Sequence, residues 1–195
     1  MATTPAVCDH VHLPVQSGSN TTLKRMLRRY TRERYLEVVA ELRAAIPTIT
    51  FSTDIIVGFP GETEVEFAET LSMVEAASFD DAYTFKYSVR DGTPAVKLKD
   101  HVPDDVASER LNRLIGVVRA QTRRRNAGRV GQLHEVLVER PAKRGDLMLA
   151  RTRQNLMVLV DLPTDSIGTY HTVRLSGTTG STFTGALAQP ALAVL

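Results

Sequence analysis

Ile49-Thr-Phe-Ser-Thr-Asp-Ile-Ile-Val-Gly-Phe-Pro-Gly-Glu-Thr-Glu-Val-Glu66 decides the fold. Ile49–Val57 is β-branched and nearly continuous in apolar character, the composition of a buried parallel strand. Gly58–Thr63 follows as a loop, with Pro60-Gly61 suited to the central positions of a type II turn. Thr63-Glu-Val-Glu66 then has the spacing of a capping box, so the spacing predicts a helix from here to about Ala77. A strand, a tight loop and a capped helix in this order form one β/α unit.

Two further units lie on either side. Val11–Gln16 reads as a strand with Val11, Leu13 and Val15 on one face. A loop follows in which Ser19 or Asn20 caps a helix running to about Ala45, its apolar stripe including Leu23, Met26, Leu27 and Tyr30, and Pro47 ends it. Downstream, Asp80–Val89 is expected to be a strand, Arg90–Pro94 a loop, and Pro103-Asp-Asp105 the start of another helix. The Arg123-Arg-Arg125 run in that helix's last turn suits the helix dipole as well as an anionic partner. Three loops, QSGSN, GFPGET and SVRDGTP, thus fall at strand C-termini, the edge where parallel α/β folds carry their ligands.

After Gly128 the pattern changes to short strands near Leu133–Glu139, Leu147–Arg153, Met157–Val160, Tyr170–Leu175 and Phe183–Leu187. Five short strands at this spacing predict a small antiparallel barrel. The fold class expected is α/β plus all-β, divided into residues 1–125 and 126–190.

Composition bounds the chemistry. The chain has 195 residues, 43% hydrophobic and 24% charged, with a net charge of +2, which describes a packed globular chain. Residues 126–195 hold seven Lys and Arg against five Asp and Glu, so the basic excess lies there. No apolar run approaches the roughly 20 residues of a membrane span, and Met1–Cys8 has no signal-peptide character. No membrane partner is expected, and a cytoplasmic location is. Cys8 is the one cysteine, which excludes an internal disulfide and any all-cysteine zinc or iron–sulfur site; as a small hydrophobe it is expected to be buried. His10 and His12 share a strand face without an evident third ligand, so no metal site is expected. Ser17 and Ser19 lack a general base, which leaves a hydrolytic triad unsupported.

GFPGET is not a phosphate cradle, because Glu62, Glu64 and Glu66 already load the helix N-terminus with negative charge and no Walker lysine is present. An amine or a neutral adenine edge suits it better, with Gly58 letting a flat ring approach the backbone. In the β portion Lys143, Arg144, Arg151, Arg153 and Arg174 could track a phosphate backbone, with Tyr170 and Phe183 as stacking surfaces.

Four stretches, His12–Ser19 (HLPVQSGS), Leu23–Thr31 (LKRMLRRYT), Thr53–Thr63 (TDIIVGFPGET) and Phe85–Ala95 (FKYSVRDGTPA), closely resemble the radical S-adenosylmethionine methylthiotransferases, the last looking most like their tRNA-modifying branch. The tail from LHEVLVERPAKRGDLMLARTRQN onward resembles that family's TRAM domain, a small RNA-holding β-barrel. The resemblance implies the C-terminal half of a radical-SAM (β/α) partial barrel followed by an OB-like TRAM barrel, with the reading frame continuing upstream of Met1. It implies S-adenosylmethionine as cofactor, held by Gly58–Glu62 and the strand before it (Asp54, Val57, Gly58 and Glu62), by Gln16 and Ser17, by Ser88 and Arg90, and by Arg28 or its neighbour Arg29. It also implies tRNA as partner, a monomer, and methylthiolation at C2 of an isopentenylated adenosine. The family's [4Fe-4S] clusters need cysteines that this chain lacks, so no catalytic residue is assigned and the chain alone is expected to be inactive. Sister enzymes acting on threonylcarbamoyladenosine or a ribosomal protein, and an RNA-binding module without chemistry, are the alternatives.

Overall fold

The computed structural model describes residues 1–4, 6–143 and 145–188. They form two compact units: Val11–Gln121, and Thr3–His10 together with the chain from Thr122 onward.

The first unit carries a three-stranded sheet ordered β1 (His10–His12), β2 (Thr50–Val57), β3 (Asp81–Lys86). β2 and β3 run parallel, from Ser52 opposite Asp81 to Val57 opposite Lys86. The first strand is shorter than expected, and Pro14 is the physical reason: it has no N–H to give the ladder. Leu13 N still donates to Ser52 O at 2.8 Å, but Val15 N turns to the Thr53 hydroxyl, and pairing resumes only at Gln16, whose N donates to Asp54 O.

Side chains alternate across a strand, and β2 uses both faces. Phe51, Ile55 and Val57 are fully buried and pack with Val39, Phe67, Val74 and Leu114 from the helices. The other face bears Asp54 and Ile56, opposite Tyr83 and Phe85, which remain 56% and 49% exposed. The helices are α1 (Asn20–Arg25), α2 (Arg32–Ala45), α3 (Glu64–Ala77) and α4 (Asp104–Ala127).

The single helix expected from Asn20 to Ala45 is in fact two. Arg28 N donates to Leu23 O and Leu27 N to Lys24 O, both across Leu27 at φ +57°; this is the 6→1 and 5→2 pair of a Schellman stop. Thr31 then caps α2 by accepting from Arg34 N, and Asn20 Oδ1 accepts from Arg32 N at 2.7 Å. The apolar spacing survives the break only in part, because Leu23 is buried while Leu27 is 71% exposed. At α3 the capping box forms as expected, Thr63 with Glu66.

The second unit is a closed barrel in the order β4 (Leu133–Pro141), β5 (Met148–Thr152), β6 (Met157–Val160), β8 (Thr182–Leu187), β7 (Tyr170–Thr178). It is not wholly antiparallel: β6 and β8 pair in parallel, Met157 opposite Thr182, which is what lets the sheet close. Phe183 is fully buried in the barrel core with Val136, Val158 and Leu175, so it offers no stacking surface. Val7–Asp9 lies along this unit as a strap. Asp9 N donates to Arg153 O at 2.9 Å and Arg153 Nη2 to Val7 O at 2.8 Å. Cys8 on this strap is exposed rather than buried, because the strap is held through its neighbours, the Val7 carbonyl and the Asp9 amide and carboxylate. The expected domain end at residue 190 lies outside the described residues.

Gly18 tests the packing between α3 and the β1–α1 loop. A Cβ there would meet Glu69 O at 2.5 Å and Met73 Cβ at 2.6 Å. Gly18→Ala is expected to lower stability by about 2 kcal/mol, as overpacking does. Gly116→Ala, within α4 and with open space around it, should instead add about 1 kcal/mol through helix propensity. Thermal unfolding followed by circular dichroism reads both.

Candidate functional site

Because β2 is followed by a glycine, the chain can turn sharply where the site begins. Gly58 has φ +71° and Gly61 φ +77°, conformations glycine adopts without strain. The type II turn closes through Glu62 N to Phe59 O at 2.9 Å. Glu62 then folds back, its carboxylate accepting from Gly58 N at 2.9 Å and from Arg110 Nη1 at 2.9 Å. Arg110 itself is 5% exposed and also donates to Glu62 O. Burial pushes the Glu62 carboxyl above the ordinary glutamate range, and the Gly58 amide and the Arg110 guanidinium oppose that shift.

A Cβ on Gly58 would sit 2.6 Å from Ala107 Cβ, so the missing side chain makes room for α4. Glu62 and Val57 are likewise buried within the unit, and Ser17 is fully buried with its hydroxyl 3.2 Å from that of Thr70. These three side chains support the site from behind.

What the three loops enclose is a cavity of about 610 Å³ on the open face of the sheet. Of the residues expected there, Gln16, Arg28, Asp54, Ser88 and Arg90 line it, whereas Arg29 does not. Apolar walls come from Met26, Leu27, Ile56, Phe59, Phe85 and Leu98. Tyr87 meets Phe59 edge-on at 5.1 Å, and its hydroxyl is buried without a hydrogen-bond partner among the described residues. His12, expected to bind no metal, has Nδ1 2.9 Å from Ser52 Oγ and Nε2 3.5 Å from Asp54 Oδ2.

The cations of the lining divide into two pairs. Arg25 holds Glu66 bidentately at 3.0 and 2.7 Å, and Lys86 holds Asp104 at 2.6 Å. Arg28 and Arg90 make no ion pair or side-chain hydrogen bond among the described residues, so two guanidinium groups are left for an anion. Sequence reading missed the apolar lining and Arg110. Arg110 carried a signal all the same, since it lies at helical spacing between Ala107 and Leu114 on the buried stripe of α4. Leu27 carried none: a γ-branched residue in left-handed backbone costs on the order of 1–2 kcal/mol, and nothing local foretells it.

On the barrel the expected basic track is mostly committed elsewhere. Arg151 pairs with Glu139 at 2.7 Å, and Arg153 holds the strap through Val7 O and lies 3.8 Å from Asp9 Oδ1. Arg174 is exposed although it donates to Gly131 O, and Lys143 and Tyr170 are exposed. Arg144 lies outside the described residues.

Two measurements test these networks. Arg110→Met strands the Glu62 carboxylate and is expected to cost about 3–5 kcal/mol in denaturant unfolding, while adding Glu62→Gln should recover part of it. For Glu66, burial alone would raise the carboxyl, but Arg25 and the Thr63 amide outweigh it and hold it below the ordinary 4.5. That stabilisation is present above pH 4.5 and lost as pH falls through the lowered value. Arg25→Met should therefore cost about 2 kcal/mol at neutral pH, the difference shrinking in acid.

Residues 2–74 match the radical SAM superfamily. The chain is 46% identical over 180 residues, 92% of its length, to a tRNA-2-methylthio-N(6)-dimethylallyladenosine synthase of Clostridium botulinum, and 48% identical over 187 residues to the synthase of that name from Geobacillus thermodenitrificans. It spans 40% and 36% of those two relatives. Among solved structures, Escherichia coli coproporphyrinogen III oxidase, described as a radical SAM enzyme, superposes with a TM-score of 0.51 at 16% identity over 90% of this chain and 44% of that one, a likeness of fold. With identity of this order along nine-tenths of its length, the chain is similar to one part of the radical SAM methylthiotransferases.

Proposed function

We propose that this chain is the part of a tRNA-modifying methylthiotransferase that holds S-adenosylmethionine and presents the adenosine to be modified at C2. The identity to synthases of 2-methylthio-N(6)-dimethylallyladenosine carries this reading, and the chemistry of the cavity supports it. A volume of about 610 Å³ is in the range that small-molecule sites occupy. Asp54 is the one acid on the lining and suits an amine or ribose hydroxyls. Gln16 and Ser88 offer neutral polar groups, and the unpartnered Tyr87 hydroxyl is a buried polar atom that a ligand would satisfy. Ile56 and Phe59 give a flat ring an apolar wall, and Arg28 or Arg90 can take a carboxylate.

When bound, S-adenosylmethionine supplies an adenosyl fragment and a methyl group. The chain's own residues orient it and exclude water, the protein's share of cofactor chemistry. A [4Fe-4S] cluster does not fit this chain, because Cys8 is its one thiol. The same observation favours a second reading, in which this polypeptide by itself binds ligand and RNA without chemistry.

In this reading residues 1–125 are the half of the radical-SAM barrel that closes on the cofactor, and 126–190 form the TRAM domain. A closed five-stranded barrel is an OB-like architecture, which suits oligonucleotides, and Lys143 and Arg174 are among its exposed cations. A tRNA partner puts the protein in the cytoplasm. Equilibrium dialysis with labelled S-adenosylmethionine is the test: the 195-residue chain should bind it, and Asp54→Ala should weaken binding about tenfold, the loss of one charge-assisted contact. Absence of binding by the unaltered chain, or affinity indifferent to Asp54, would remove the cofactor assignment.

A further inference from the structure

Leu27 is the residue the fold does least to explain. It occupies the position after the α1 C-cap where the Schellman stop requires left-handed backbone, at φ +57°, and where glycine is the usual occupant. Its side chain is 71% exposed. The apolar contact that commonly accompanies such a stop would fall to the residue after it, here Arg28, so the motif provides none. A leucine that is strained by its backbone and left in water contributes nothing local that a glycine would not. It does line the cavity, beside Met26 on the same stop and with Phe85, itself 49% exposed. Arg28, next in sequence, lines the same cavity with its guanidinium unpaired.

We infer that Leu27, with Met26 and Phe85, forms the apolar cradle that receives the N6-dimethylallyl group of the adenosine, and that Arg28 faces the phosphates flanking it. This rests on the tRNA reading above and deepens it. The group is a branched five-carbon hydrocarbon with no hydrogen-bonding atom, so only apolar contact distinguishes it from a bare amine. A cradle of leucine, methionine and phenylalanine supplies that contact, and a guanidinium beside it fits a polyanionic chain rather than a free hydrocarbon. An acidic N6 substituent would gain nothing from Leu27, which makes these residues determinants of specificity and not of chemistry.

Binding measurements on the 195-residue chain test this without turnover. The probes are the nucleosides N6-(dimethylallyl)adenosine and adenosine, and two RNA hairpins differing only by the dimethylallyl group on one loop adenosine. The chain should prefer the prenylated member of each pair by about tenfold, since burying one or two methylene equivalents is worth that much. Leu27→Gly should reduce the preference to threefold or less, and raise the melting temperature by relieving the left-handed strain. A residue that only supported the fold would lower it. Equal binding of the two nucleosides, or full preference retained in Leu27→Gly, overturns the inference. A nucleoside preference that depends on Leu27 while neither hairpin binds would uphold the cradle and overturn the RNA reading alone.

Discussion

The ion pair between Glu62 and Arg110 is the constraint on which the cavity-bearing unit rests. A carboxylate and a guanidinium removed from water are costly unless each finds further partners. Here the carboxylate also receives the Gly58 amide and the guanidinium also reaches the Glu62 carbonyl. The pair thereby ties the end of β2, the turn after it and the first half of α4 into one object. Phe59 lies between the two ends of that tie, so a wall of the cavity is set by a charge pair that never touches the cavity. Gly58 belongs to the same object, because the absent side chain is what lets Ala107 approach.

How much of this was legible beforehand depended on whether a signal was local. The capping box at Thr63–Glu66 and the turn at Pro60-Gly61 were readable because each is complete within a few residues. Break points between α1 and α2 were not, since the apolar spacing runs through Leu27 while the stop is enforced by backbone hydrogen bonds and by the Asn20 side chain reaching Arg32. The three loops were correctly placed at one sheet edge, and five side chains expected there do line one cavity. Ser17, Val57 and Glu62 sit in the quoted motifs at positions whose side chains face the interior, and Gly58 has no side chain, so these four can meet a ligand only through backbone atoms. Motif membership marks a neighbourhood, whereas the pleat decides which residues in it meet a ligand.

Charge behaved in the same way. Counting basic residues singled out the barrel, yet Arg151 and Arg153 spend their charge on Glu139 and on the strap. In the first unit acidic residues outnumber basic ones, 16 to 14, and still two guanidinium groups are left unpaired on the cavity. Net charge over a segment says little about which charges remain available, because pairing is settled by register: Arg151 is opposite Leu137 on β4, two residues from Glu139.

The parallel pairing of β6 with β8 has a consequence for the order in which the barrel can be assembled. β4, β5 and β6 can zip together as hairpins while the chain emerges from the ribosome, but β6 then keeps a bare edge until Thr182–Leu187 has been made. The strap waits too, since the bond from Arg153 to Val7 joins residues 146 apart. Contacts of such separation form late. Nascent chains that have passed Val160 but not reached Leu187 therefore present an open strand edge, the kind of surface that invites pairing with another chain. For this protein the vulnerable interval is written into the barrel's topology, and it ends when the last strand slides in beside the third.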